Sequence, residues 1–134
     1  RTLPPGKNRH ASFIYVQSDS EWVNNTVKTL KQDYGFACCE YDIDDFQGMP
    51  FLILVSNIIR KSCKIVLVCS REALQNIDFF EIQMILDQHH INSFVTIMLG
   101  DCNIPEYRRN VNYIETRNSV KDIWWPKLLK ELDV

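Results

Sequence analysis

The sequence predicts an α/β fold of the flavodoxin-like class, an open five-stranded parallel sheet with helices on both faces. The first observation is the run at residues 64–70, where five consecutive apolar residues, rich in β-branched side chains, follow a lysine. A run this short without a polar face is typical of a strand buried on both sides, as in parallel sheets. The second observation is that five strand-like runs are interleaved with helical patterns along the chain, which favours parallel strands joined by crossovers.

The individual elements follow from apolar spacing and from turn residues. The predicted strands lie at residues 11–16, 36–40, 64–70, 94–99 and 111–114. The predicted helices lie at residues 20–32, 51–61, 79–89 and 121–132, with a short turn at 71–74. Helical spacing places Phe80, Met84 and Ile85 in the core, and Ser18 with Glu21 is expected to form a capping box. Residues 1–9 are expected to be a flexible lead-in and residues 10–134 a single domain.

Composition narrows the class of protein. The 134 residues are 46% hydrophobic and 24% charged, with a net charge of -2, so neither a nucleic-acid surface nor a nucleic-acid partner is expected. No apolar run approaches the roughly 20 residues that span a bilayer. Because Arg1 stands where Met would begin a chain, we expect an excised fragment, so any membrane attachment would lie outside it. The five cysteines are expected to be buried thiols in a reducing cytosol.

The loops that follow the strands match no known catalytic or cofactor-binding motif. Residues 17–20 contain no glycine, which argues against phosphate binding and against a nucleotide cofactor there. Cys69 stands where a receiver domain would need an aspartate, and it lacks the loop that a cysteine nucleophile requires. His10, His89 and His90 could be metal ligands or bases, but His89 and His90 end a predicted helix, where a cation is favoured by the helix dipole. We therefore predict no metal, no cofactor and no catalytic residue.

One acidic stretch remains as a candidate site. It contains Glu40, Asp42, Asp44 and Asp45, which are either a solvated acidic loop or a catalytic or cation-binding cluster. The loop from residue 42 to residue 50 follows the second strand, so it lies at the carboxyl edge of the sheet, where this fold binds ligands. Its Phe46 either folds back to plug the base of the loop or, together with Met49, reaches a partner.

Several motifs together resemble the Toll/interleukin-receptor (TIR) domain over residues 10–132. Ala-Ser-Phe-Ile-Tyr-Val-Gln-Ser-Asp at 11–19 resembles the first family box, and residues 19–23 resemble the start of the first helix in Toll-like receptors. Asp-Phe-Gln-Gly at 45–48 resembles the second box, residues 62–70 resemble the third strand, and Ile123-Trp124-Trp125 resembles the third box. The domain of interleukin-17-type receptors is a weaker match.

The resemblance implies a cytoplasmic signalling module of innate immunity, receptor or adaptor in type, that associates with other TIR domains and is not an enzyme. It implies a partner-binding loop consisting of Asp42, Asp44, Asp45, Phe46, Gln47, Gly48, Met49 and Pro50. It also implies structural roles for Phe13, Tyr15, Trp124 and Trp125. The loop departs from the usual Arg-Asp-x-x-Pro-Gly, because Asp44 stands at the arginine and the proline before Gly48 is absent unless Pro50 replaces it.

Some TIR domains cleave NAD, and the resemblance places their glutamate early in the helix after this loop. Residues 51–58 contain no carboxylate, and an apolar stripe cannot stabilise an oxocarbenium-like centre. An NAD-cleaving enzyme with a displaced carboxylate remains the alternative function.

The two tryptophans of the last helix cannot share one orientation, because adjacent helical residues point about 100° apart. We expect Trp125 to pack inward with Leu128, Leu129 and Leu132, and Trp124 to be at least partly exposed. The opposite assignment stays open.

Overall fold

The structure is a computed structural model, and it describes most of the chain. The described residues are 1–46, 48–89, 91–100, 102, 113–116 and 121–133. No helix in these ranges combines the length and the apolar character needed to cross a membrane.

Five strands form one sheet with the order β2-β1-β3-β4-β5, and every neighbouring pair is parallel. The strands are β1 (Arg9–Tyr15), β2 (Cys38–Asp42), β3 (Ser62–Cys69), β4 (Phe94–Met98) and β5 (Tyr113–Glu115). The helices are α1 (Ser20–Tyr34), α2 (Phe51–Lys61), α3 (Arg71–Leu74), α4 (Ile77–His89) and α5 (Lys121–Leu132). This strand order confirms the predicted flavodoxin-like class.

The sheet separates two apolar clusters. On one face, α1 and α5 pack on alternate side chains of the central strands, among them Phe13, Tyr15 and Val66. On the other face, α2 and α4 pack on the residues in between, including Ile14 and Leu67. Because β1 and β3 are covered on both faces, their inner residues are apolar almost without interruption, as expected for central parallel strands.

Most predicted boundaries are confirmed within a few residues, and the predicted helices at 51–61 and 121–132 have the bounds of α2 and α5. The strand predicted at 36–40 starts instead at Cys38, because the backbone of Phe36 is still bonded to the last turn of α1. Gly35 caps that helix at φ 71°, and the Phe36 N–H donates to the Leu30 carbonyl at 3.0 Å. Val111 and Asn112, at the start of the predicted fifth strand, lie outside the described residues.

The predicted core of α4 is wrong for Phe80, which is 47% exposed. The buried residues of this helix are Phe79, Ile82, Gln83 and Leu86, whereas Met84 and Ile85 are only partly buried. The helix is apolar on most sides, so the spacing of its apolar residues does not determine which side faces the sheet.

The expected capping box at α1 is also wrong. A short 3-10 turn at Gln17–Asp19 precedes the helix, and its N-cap residue Asp19 makes no side-chain capping bond. The Asp19 carboxylate instead accepts a hydrogen bond of 2.6 Å from the Ser70 hydroxyl. A contact with the end of β3 has therefore replaced the local cap.

The exposed position expected for Trp124 is wrong, because Trp124 and Trp125 are each 8% exposed. The Trp124 ring is covered by Trp22 of α1, at 5.9 Å between ring centroids. The Trp125 ring packs on Tyr34 at 5.8 Å, and its indole N–H donates to the Tyr34 hydroxyl at 3.1 Å. Both rings are buried because α1 supplies an aromatic side chain to each of them.

Candidate partner-binding site at the carboxyl edge

The acidic loop runs from the end of β2 to the start of α2. After Asp42 the chain forms a 3-10 turn at Ile43–Phe46, in which Ile43 is buried and anchors the turn to the core. Asp44 and Asp45 on the same turn are exposed. The Asp44 backbone N–H donates to the Asp42 carboxylate at 3.0 Å, so the turn is stabilised locally and presents two carboxylates to solvent.

Phe46 folds back toward the domain. Its ring packs on Tyr41 of β2 at 5.7 Å between centroids, and it is partly buried against the cluster under α2 and α4. Arg9 of β1 donates to the Tyr41 hydroxyl and lies over the Tyr41 ring. The geometry favours the reading in which Phe46 plugs the base of the loop. Gln47, which follows it, lies outside the described residues.

The rest of the loop leads into a set of exposed apolar side chains. Pro50 precedes the first turn of α2 in an extended conformation, and Gly48 has a φ of 84°, a conformation that favours glycine. Five apolar side chains near the first turns of α2 and α4 are between 46% and 81% exposed. They are Met49, Leu52, Ile53, Ile77 and Phe80, and we call them the apolar patch.

The two parts of the apolar patch lie on the same side of the molecule. Helices α2 and α4 contact each other and pack on the same face of the sheet. Each helix leads into a parallel strand, so each begins at the carboxyl edge. The patch therefore joins the acidic loop at that edge, and exposed carboxylates flank it at Asp44, Asp45 and Glu81.

Negative charge accumulates around the end of β2. Burial raises the pKa of Asp42 above its ordinary value, an effect that Asp44 and Asp45 reinforce, while the backbone bond from Asp44 opposes it. Burial also raises the pKa of the Tyr15 hydroxyl, and the carboxylates of Glu40, Asp42 and Asp45 raise it further. An incoming cationic group would relieve this repulsion.

A second feature at the same edge was not predicted from the sequence. Asp19 follows β1 and Ser70 follows the neighbouring strand β3, and together with Arg71, Glu72, Leu99 and Gly100 they line a shallow crevice of about 310 Å³. Burial raises the pKa of Asp19 and Glu72 raises it further, whereas the hydrogen bond from Ser70 lowers it. The crevice lies at the carboxyl ends of β1, β3 and β4, and it includes the point between β1 and β3 where the strand order reverses and α/β sheets commonly bind ligands.

The signal for this crevice was present in the sequence. Asp19 lies in the loop after the predicted strand at 11–16, Ser70 ends the predicted strand at 64–70, and flavodoxin-like topology makes those two strands neighbours.

Where the structure describes them, the other candidate side chains have structural positions. His10 is buried, and its Nδ1 accepts a 2.9 Å hydrogen bond from the Ala37 N–H. Cys69 is fully buried, so its sulfur is out of reach of an external substrate. In the part of the chain that the structure describes, no group of three or more His, Cys, Asp or Glu side chains could hold a metal ion. His90 lies outside that part. Phe13, Tyr15, Trp124 and Trp125 all belong to the cluster under α1 and α5.

Comparison with known proteins identifies the class of fold to which this chain is similar. No family model and no curated protein matches the sequence, but solved structures do. The TIR domain of the Toll-related receptor TRR-2 from Hydra magnipapillata superposes with a TM-score of 0.74 at 20% identity, covering 95% of this chain and 100% of that one. A TIR-STING receptor from C. gigas, in complex with 2',3'-cGAMP, gives 0.73 at 23% identity, covering 99% of this chain and 42% of that one.

A prokaryotic SEFIR domain is also similar, with a TM-score of 0.66 at 15% identity over 92% of this chain and 99% of that one. The protein is thus a flavodoxin-like α/β domain. Within that class it has the fold of a TIR domain, with a weaker likeness to the SEFIR domain.

Proposed function

We propose that this domain is a cytoplasmic signalling module of innate immunity, receptor or adaptor in type, that associates with other TIR domains. It docks through the acidic loop and the apolar patch. The observation that carries the proposal is the apolar patch itself, five exposed apolar side chains gathered at the start of two adjacent helices.

Apolar surface gathered in one place needs an explanation. Scattered exposed apolar residues are ordinary, but contiguous patches rimmed by polar groups mark interaction sites. Leu54, Val55 and Phe79 form the buried side of these helices. Leu52, Ile53 and Ile77 are exposed, so they are not needed for packing on the sheet. The outward residues add nothing to the core, and a partner surface would remove them from water.

The charges at the rim indicate the chemistry of the partner. Asp44, Asp45 and Glu81 flank the patch, so the complementary surface would carry an apolar centre and a basic rim. Carboxylates at a rim steer a cationic surface during approach, and salt screens their effect. Association is therefore expected to weaken as the salt concentration rises.

The test reverses the rim charge and leaves the core untouched. Asp44→Arg combined with Asp45→Arg should retain the wild-type circular dichroism spectrum. It should weaken binding to receptor and adaptor TIR domains by about tenfold at low salt, because two rim charge pairs worth up to about 1 kcal/mol each turn repulsive. Binding is measured by interferometry at two salt concentrations. Glu21→Arg with Asp33→Arg, on the exposed side of α1, provides a matched control that should bind normally.

Two outcomes would contradict the proposal. One is normal binding by a folded Asp44→Arg, Asp45→Arg variant with unchanged salt dependence. The other is failure of the wild-type domain to bind any TIR domain, itself included, which would favour a purely structural role within a larger protein. A Leu52→Asp variant probes the patch separately and should also lose binding, since it places a charge at the apolar centre of the interface.

The same proposal includes the absence of enzymatic activity and of a bound cofactor. The first turns of α2 are apolar, and Phe51, Leu52 and Ile53 offer no group that could stabilise a developing positive charge. The carboxylates of the acidic loop are solvent-exposed at Asp44 and Asp45, where water would compete with a substrate.

A second candidate function is cleavage of NAD by a displaced carboxylate, and the crevice between β1 and β3 favours it. Asp19 and Glu72 line that crevice, and burial raises the pKa of Asp19, a direction of change that suits a carboxyl group for proton transfer. Incubation of the purified protein with NAD, followed by detection of nicotinamide, distinguishes the two functions. Turnover abolished by Asp19→Ala or Glu72→Ala in the crevice, or by Glu40→Ala or Glu81→Ala outside it, would establish the enzyme in place of the module.

A further inference from the structure

Two buried thiols meet at the carboxyl edge of the sheet. Cys69 is the last residue of β3, and its carbonyl accepts a 2.8 Å hydrogen bond from the Leu99 N–H beyond β4. Cys102 follows shortly after Leu99. The two sulfur atoms are 3.6 Å apart, and both side chains are buried in the cluster under α2 and α4. They are separated by 33 positions in sequence, so the fold and not the local chain brings them together.

The other three cysteines differ in their surroundings. Cys38 is buried, and that burial raises the pKa of its thiol to about 12, so it is almost wholly protonated at neutral pH. Cys39 and Cys63 are partly exposed. Cys38 and Cys39 are adjacent on β2, and their side chains point to opposite faces. All five lie in the described part of the chain, and each carries a thiol and not a disulfide.

We propose that Cys69 and Cys102 are a site of reversible oxidation, at which a small-molecule disulfide such as oxidised glutathione converts the two thiols into a disulfide. The sulfurs need to approach from 3.6 Å to a bond length of about 2.05 Å. The two sulfur atoms therefore have to close a gap of about 1.5 Å.

The exchange proceeds in two balanced steps. Cys102 lies outside regular structure and retains slight exposure, whereas Cys69 has none, so Cys102 reacts first. Its thiolate attacks one sulfur of oxidised glutathione, which forms a mixed disulfide and releases one glutathione thiolate that takes up the proton lost by Cys102. The Cys69 thiolate then attacks the Cys102 sulfur and expels the second glutathione, which takes up the Cys69 proton. Two protein thiols are oxidised, and one glutathione disulfide is reduced to two thiols.

The new bond would join the two walls of the crevice. Ser70, Arg71 and Glu72 follow Cys69 on one wall, and Leu99 and Gly100 precede Cys102 on the other. Oxidation would therefore fix the segment after β4 to the end of β3. Closing a loop of this length restricts the unfolded chain, so the thermal midpoint should rise by about 5–10 °C. The inference concerns a different site from the docking surface and does not depend on the proposed function.

The experiment equilibrates the purified protein with glutathione buffers of increasing oxidised fraction, followed by acid quenching, alkylation and peptide mapping. The expected result is a Cys69–Cys102 disulfide, an intact mass lower by two hydrogen atoms, and a rise in thermal midpoint that dithiothreitol reverses. Cys102→Ser should abolish all three, whereas Cys63→Ser, the matched control, should keep them.

Peptide mapping of the wild-type protein tests the proposal even if the variants do not fold. Mapping that finds glutathione only on Cys39 or Cys63, with Cys69 and Cys102 still alkylated as thiols, would overturn the proposal. A disulfide in the Cys102→Ser variant that gives the same thermal shift would overturn it as well, because the stabilisation would then come from another pair.

Discussion

Replacing either tryptophan of α5 by alanine should destabilise the domain strongly, and the two effects should be similar. Trp124 and Trp125 are equally buried at 8% exposure, and their rings contact each other at 5.7 Å between centroids. Each ring also packs on an aromatic residue of α1, Trp22 for Trp124 and Tyr34 for Trp125. Removal of either ring therefore opens a cavity between α1 and α5.

The expected magnitude follows from the size of the buried group. Truncation of a buried tryptophan to alanine costs about 3–5 kcal/mol, which is a large share of the roughly 5–15 kcal/mol that stabilises an ordinary domain. At about 3–5 °C per kcal/mol for a domain of this size, the thermal midpoint should fall by roughly 10–20 °C. Trp125→Ala should be slightly more costly, because the Tyr34 hydroxyl loses a hydrogen bond worth about 1 kcal/mol.

Thermal and urea unfolding followed by far-ultraviolet circular dichroism measure both effects. Ile123→Ala is the matched control, since Ile123 is the neighbouring apolar residue of the same helix but is exposed, and it should remain within about 0.5 kcal/mol of wild type. A Trp124→Ala protein that unfolds at the wild-type midpoint would refute the packing described for α1 and α5, and would restore the orientation that helical periodicity alone predicts.

Two further predictions concern Asp19 and Gly35. Because the pKa of Asp19 is raised in the folded state, its contribution to stability is greatest below the ordinary aspartate pKa and is lost as the pH rises through the folded value. The thermal midpoint of Asp19→Asn relative to that of wild type should therefore rise as the pH is raised from about 3 to about 7. An equal difference in midpoint at the two pH values would contradict this. Gly35 ends α1 at a φ of 71°, so Gly35→Ala should lower the free energy of unfolding by about 1 kcal/mol. Gly35→Asn should lower it less, because asparagine tolerates that conformation. Equal urea midpoints for the two variants would exclude backbone strain.

The order of strands and helices was predictable because each element has a distinct local pattern. Pro50 marks the start of α2, and Gly35 marks the end of α1. The buried strand at residues 64–70 required helices on both faces, and this requirement alone selects a parallel sheet. These features depend on short stretches of sequence, and short stretches are what single-sequence reasoning interprets well.

The wrong predictions share a different cause, namely contacts between residues distant in sequence. Trp124 is buried because Trp22 covers it, and the separation of about a hundred residues hides that contact from any local pattern. Asp19 was expected to lie beside a capping pair at the start of α1, yet its carboxylate bonds Ser70 at the end of β3. The face that α4 buries could not be determined from spacing either, since Phe79 and Phe80 are adjacent and equally apolar.

The position of the candidate partner-binding site could be predicted from the sequence, but only some of its residues could. The acidic loop was identified from Asp44, Asp45 and Gly48, and its position at the carboxyl edge follows from the topology. The contribution of α4 was missed, because Phe80 was assigned to the core and Ile77 to the segment before the helix. Only the three-dimensional packing of α4 beside α2 brings Ile77 and Phe80 to the same edge as Leu52.

The sheet divides the interior into two compartments that share no buried side chain among the described residues. One compartment, beneath α1 and α5, contains the aromatic side chains that secure the end of the chain. The other lies beneath α2 and α4, the helices that carry the apolar patch. Substitutions in separate compartments have few shared neighbours, so their effects on folding combine almost independently. A substitution beneath α2 and α4 should therefore leave the stability contributed by the packing beneath α1 and α5 almost unchanged.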